Sequence, residues 1–273
     1  MNRKKQAFPL IPVAVGAAAV ILFIAILGVV LNGPKTDDMT QAGIAYLESL
    51  EKKSPDAVIQ VRRDILQAKL DAQRDEMIRQ VEEGDVDPFT LFQDFVIMGD
   101  SRAVGFWYFG FVDEARTLTG AGHTIRDIPG QMDALAAINP SYVYLCYGLN
   151  DTSIGYWKTA EEYVTEFMDV VDQMQQRLPD ATIVVSSILP ARDPAFQRTS
   201  KWYNIPDWSD ALGEACRENG VIFVDNDGIS ETYANLWDPD GIHLREAFYP
   251  YWAANLIIAT LQGGGAEIDE SGT

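Results

Sequence analysis

Residues 94–106 read DFVIMGDSRAVGF. Phe95, Val96, Ile97 and Met98 form a short apolar run of the kind that makes a strand covered on both faces. Gly99-Asp100-Ser101 ends the run, and a helical stretch follows. In open α/β folds, ligands bind and chemistry occurs beyond the C-terminal ends of the strands, at such junctions. Ser101 is therefore either the cap of the next helix, a common duty of serine, or a nucleophile.

Working outward, strand-like runs recur at Ala115–Leu118, Tyr142–Tyr147, Thr182–Ile188 and Val221–Val224, with helical stretches between them. The clearest helix is TAEEYVTEFMDVVDQMQQRL, opened by Thr159 or a neighbour and rich in acids in its first turn. A last helix is expected near Glu246–Leu261, carrying Phe248, Trp252, Leu256 and Leu261. This alternation predicts an α/β fold with a parallel sheet and helices on both faces.

The N-terminal part is of another kind. Phe8 to Leu31 is a stretch of 24 residues without a charge, about 36 Å of helix at 1.5 Å per residue and enough to cross a bilayer core. Arg3, Lys4 and Lys5 precede it, and the mostly acidic or neutral NGPKTDDMT follows. The positive-inside rule then puts the N-terminus in the cytoplasm and the rest outside, as a single-pass anchor. A cleaved signal peptide is the competing reading, but GVVLNGPK is a poor cleavage site and the apolar stretch is long for one. Residues 36–83 read as helical, with Thr36 as one cap, Ser54-Pro55 opening a second helix and Gly84 ending it. The expected organisation is a cytoplasmic tail and transmembrane anchor (1–32), a helical stalk or hairpin (33–93), a globular domain (94–262) and a disordered tail (263–273).

The chain carries 21 Lys+Arg against 40 Asp+Glu, a net charge of −19. Such an excess repels nucleic acid and anionic head groups, which sets nucleic acid aside as a partner. Cys146 and Cys216 match no zinc or redox spacing and are expected as buried free thiols, with a disulfide as the alternative.

The strand ends gather the residues that acyl transfer needs: a nucleophile, a base, a group to orient it and donors for the oxyanion. Ser101 offers the hydroxyl and His243 the imidazole. Asp240, three residues before His243, offers the orienting carboxylate. The backbone N–H groups of Ser101 and Gly122 and the side-chain amide of Asn150 offer the donors, with Gly120 a rival for Gly122. Asp100 and Asp151 are expected to brace loops. His123 is expected to be a loop residue without a role. Arg102 beside the serine is a candidate for binding an anionic substrate. Among many loop aromatics, Trp157 and Trp237 are candidates for stacking on a sugar ring.

Gly99-Asp100-Ser101, Gly148-x-Asn150-Asp151 and Asp240-x-x-His243, with Gly122 in the second-block position, resemble the SGNH hydrolases, also called GDSL esterases or lipases. The resemblance spans about Phe95 to Leu261. It implies a flavodoxin-like three-layer α/β/α sandwich, a Ser101–His243–Asp240 triad, an oxyanion hole of Ser101, Gly122 and Asn150, and no metal or organic cofactor. Arg102 departs from it, standing where the family's name has leucine. The expectation is a membrane-anchored, extracytoplasmic esterase that removes small acyl groups from a glycan or other cell-envelope ester. An O-acyltransferase on the same scaffold, or a non-catalytic envelope module with partners on the stalk, are the alternatives.

Overall fold

The structure is a computed structural model and describes residues 40–41, 43–46 and 55–263. The chain divides into two compact units, residues 1–67 and 68–273. Of the first unit, the described residues are helical. Helix α1 (Pro55–Glu83) begins there and ends in the second. Gly84 closes it with a positive φ of 76°, its N–H donating to the Val81 carbonyl at 3.1 Å. The anchor expected over Phe8–Leu31, the caps Thr36 and Ser54, and most of the 263–273 tail lie outside the described residues. Among the described residues no helix is long and apolar enough to cross a membrane.

The second unit is built on five parallel strands: β1 (Phe95–Gly99), β2 (Thr117–Thr119), β3 (Tyr142–Cys146), β4 (Thr182–Ser186) and β5 (Ile222–Val224). Their order across the sheet is β2-β1-β3-β4-β5. Side chains alternate along each strand, so the sheet has two apolar faces. Val96, Met98, Val143, Leu145, Ile183 and Val185 face one layer, with helices α3 (Ile128–Ile138), α5 (Ala160–Arg177) and α6 (Ile205–Glu218) on it. Ile97, Tyr144, Cys146, Val184 and Val224 face the other, covered by α2 (Ser101–Tyr108) and α8 (Tyr249–Gly263). Full burial of Phe106, Phe248 and Trp252 stabilises that layer by roughly 1.5–3 kcal/mol for each side chain of this size. Two short helices complete the set, α4 (Leu149–Ile154) and α7 (Asp227–Thr232).

Strand order reverses between β1 and β3, which makes their C-terminal ends the switch point where such sheets hold ligands. Gly99 pairs with Cys146, so the two strands end level. The fold class expected from the alternation is the one found. Most strand ends differ from the expected ones by one or two residues, and two boundaries differ for a visible reason. Residues 114–116 form a 3-10 turn instead of joining β2, because the Asp113 side chain accepts the Ala115 N–H and draws that backbone out of the ladder. The last α-helix starts at Tyr249 after a 3-10 turn, with Pro250 in its first turn, where a missing N–H costs nothing. Both cysteines are buried and free, Cys146 on β3 and Cys216 on α6.

Candidate active site

Asp100, not Ser101, caps α2: its side chain accepts the Arg102 N–H at 2.9 Å. Ser101 is the first helical residue, and its hydroxyl is left for another partner. Gly99 is required just before it. A Cβ there would lie 2.5 Å from the Cys146 carbonyl oxygen and 2.6 Å from the Ala103 Cβ, so only glycine lets the helix fold back on the strand end.

The partner of Ser101 comes from a closed loop. Trp237 and Leu244 pair as an antiparallel bridge, the Asp238 N–H donates to the His243 carbonyl at 2.8 Å, and the Gly241 N–H donates to the Asp238 carbonyl at 2.9 Å. Within the loop, one Asp240 carboxylate oxygen accepts the N–H groups of Ile242 and His243 at 2.9 and 3.0 Å. The other oxygen lies 2.7 Å from His243 Nδ1. Partial burial works to raise the Asp240 carboxyl, but the two N–H groups and the imidazole outweigh it and hold it below the usual carboxylate range. An ionised Asp240 requires the proton of His243 on Nδ1. That leaves the Nε2 lone pair facing the Ser101 hydroxyl, 3.2 Å away.

Asn150, the second residue of α4, donates its amide to the His123 carbonyl at 2.9 Å. Its neighbour Asp151 accepts the Ile125 N–H at 2.9 Å. Two adjacent side chains thus tie the end of β3 to the loop after β2. In that loop the Gly120 N–H is already spent on the Gly99 carbonyl, at 3.1 Å, whereas no acceptor among the described residues takes the Gly122 N–H. The His123 ring lies over Gly120, where a Cβ would come within 2.2 Å of its Nε2.

Asp151 is fully buried, and one of its oxygens has no hydrogen-bond partner among the described residues. Burial pushes its carboxyl up to about 7, with the Ile125 N–H opposing and the Asp100 charge assisting. The ordinary value is about 3.9, so the native state holds a proton that the unfolded chain releases. Stability from this group is full below about 4 and is lost as pH rises through about 7. Asp151→Asn should therefore flatten the fall of melting temperature across that range. Thermal melts of both proteins at stepped pH check this, and parallel slopes would count against it.

Three sequence candidates are placed elsewhere. Arg102 does not face a substrate: it is 3 % exposed, with Nη1 on the Leu189 carbonyl at 2.6 Å and Nε 3.8 Å from Asp100. Trp157 is 5 % exposed, its indole N–H on Glu166 at 2.7 Å and its ring under the Arg126 guanidinium. Trp237 is 5 % exposed, its N–H on the Pro190 carbonyl at 3.2 Å and its ring under Arg192. Each polar tip finds its partner inside the fold, so none of the three is free to meet a substrate. The segment Leu189–Arg192, which contacts both the serine side and the histidine loop, escapes the sequence reading. Its signal was its place just beyond the C-terminal end of β4, where the same strand-end rule applies.

A carboxylate, an imidazole and a hydroxyl in hydrogen-bonded series at the switch point of a parallel sheet are equipped for nucleophilic acyl transfer. The sequence profile of the GDSL-like lipase/acylhydrolase family matches residues 97–250, and the chain belongs to this family. It is a serine hydrolase of acyl esters. No curated protein matches it in sequence. Among solved structures it is similar to a GDSL-like lipase from Bacteroides thetaiotaomicron, at 14% identity over 69% of this chain and 98% of that one, TM-score 0.48. It is also similar to an acetylxylan esterase from Geobacillus stearothermophilus, at 17% identity over 63% of this chain and 94% of that one, TM-score 0.44.

Proposed function

We propose that this hydrolase is an extracytoplasmic esterase, held to the membrane by residues 8–31, that removes small acyl groups, acetyl foremost, from a carbohydrate or cell-envelope ester. The observation that carries the chemistry is the unbroken series Asp240–His243–Ser101, at 2.7 and 3.2 Å. Ser101 Oγ attacks the ester carbonyl while its proton passes to His243 Nε2. The tetrahedral oxyanion sits against the N–H groups of Ser101 and Gly122 and the amide of Asn150, whose NH₂ keeps a second hydrogen beyond the one on the His123 carbonyl; the unspent N–H favours Gly122 over Gly120. His243 returns the proton to the leaving alkoxide. Water, activated by His243, then attacks the acyl-enzyme and frees Ser101. Asp240 orients the imidazole and offsets its charge. The His243 side chain is 44% exposed and that of Asp240 27%, so water reaches the base, which favours hydrolysis over transfer to a second alcohol.

The substrate class rests on three points. The charge distribution around residues 8–31 directs the domain outward. The net charge of −19 disfavours close approach to anionic head groups. With Arg102 spent inside the fold, the serine no longer has the cation that argued for an anionic substrate, and a neutral ester fits. The test is a series of para-nitrophenyl esters beside an O-acetylated polysaccharide. We expect kcat/KM to fall from acetate to octanoate and acetate to be released from the polysaccharide. Preference for octanoate, with no acetate released, would overturn the substrate class.

A further inference from the structure

We infer that Arg102 is a positioning residue for the hydrolysis, holding Ser101 against His243 through a bracket of backbone outside the triad; the inference rests on the triad reading above. Ser101 and His243 are far apart in sequence, yet the proton transfer between them needs a fixed separation. Arg102 follows Ser101 directly and is tied down on every side. Its N–H donates to Asp100 at 2.9 Å and its carbonyl accepts the Tyr249 hydroxyl at 2.8 Å. Its guanidinium donates to the Leu189 carbonyl at 2.6 Å.

From Leu189 the bracket runs to the histidine loop in three residues. The Pro190 carbonyl accepts the Trp237 indole N–H at 3.2 Å, and the Arg192 N–H donates to the Gly241 carbonyl at 2.8 Å. Gly241 lies between Asp240 and His243 at a φ of 73°, and a Cβ there would come within 2.1 Å of the Arg192 carbonyl oxygen. Each end of the bracket thus touches a neighbour of a triad residue and none touches the reacting atoms. A buried guanidinium is a costly way to fill apolar space, since a well-packed hydrophobic residue of similar volume is often the more stable choice. Its reach and directed donors, not its volume, account for arginine here.

The test uses the full-length protein and para-nitrophenyl acetate, at a temperature where circular dichroism shows each variant folded. Arg102→Leu should lower kcat by about 10- to 100-fold with KM within about twofold, the mark of lost alignment and not of lost binding. Arg102→Lys should recover part of that kcat, because an ammonium can still donate to a carbonyl but lacks the directed fork of the guanidinium. Gly241→Ala should also lower kcat, and Arg102→Leu/Gly241→Ala should be no worse than the weaker single variant, since both break one bracket. Asp100→Asn/Arg102→Leu removes both buried charges while keeping a capping side chain, so it serves if Arg102→Leu does not fold; it should show the same kcat loss. Wild-type kcat in the folded leucine variants, losses that multiply in the bracket double, or no recovery with lysine would overturn the proposal. Ser101→Ala is assayed in parallel: activity surviving in it would sink the triad reading itself, whereas an inactive Ser101→Ala beside a fully active Arg102→Leu would sink the bracket alone.

Discussion

Ser101→Ala is expected to lower kcat on para-nitrophenyl acetate by a factor on the order of 10⁶, since removing the nucleophile of a serine hydrolase costs about as much as removing its whole triad. The fold should not suffer. Asp100 is the cap of α2, so the Ser101 hydroxyl carries no capping bond. Its one hydrogen-bond partner among the described residues is His243 Nε2. Far-ultraviolet circular dichroism and melting temperature should therefore match the wild type while turnover disappears. A variant that kept its activity would return Ser101 to a structural role and require another nucleophile.

Asp240→Asn is expected to cost about 10⁴-fold in kcat through the wrong histidine tautomer, and the loop geometry says why no rearrangement rescues it. One Asp240 oxygen accepts two backbone N–H groups, from Ile242 and His243. In the asparagine variant the carbonyl oxygen must stay there, because the NH₂ group cannot face two donors. The NH₂ is then left against His243 Nδ1 and donates to it. The imidazole proton moves to Nε2, the atom that should accept from Ser101. KM and thermal stability should change little, since the loop keeps its closing bonds between Asp238, Gly241 and His243. Steady-state kinetics decide the matter, and a kcat within about tenfold of wild type would show that Asp240 does not set the tautomer.

Much of this was readable from local sequence, for physical reasons. Apolar runs such as Phe95–Met98 and Tyr142–Cys146 become central strands because both faces of a parallel sheet are covered. The Asp240–His243 contact spans three residues and is fixed by one turn, so spacing alone announced it. What spacing does not carry is long-range partnering. By sequence Arg102 is a cation at the site, because its acceptor, the Leu189 carbonyl, lies 87 residues away. Trp157 and Trp237 looked like sugar platforms for the same reason: Glu166 and the Pro190 carbonyl, which take their indole protons inside the fold, are not evident from composition. The bond that spends the Gly120 N–H on the Gly99 carbonyl is likewise one that only the packed loop reveals. At β2, the single Asp113 side chain shifted the strand start, a local competition that apolar patterning does not register.

His243 makes Ser101 nucleophilic by accepting its proton at Nε2. The most direct test is covalent labelling of the full-length protein with a fluorophosphonate ester, followed by digestion and peptide mass analysis. One adduct is expected, on Ser101, formed in step with the loss of esterase activity and strongly slowed in His243→Ala. Activity lost with the label on another residue, or turnover that persists while Ser101 is fully modified, would contradict it.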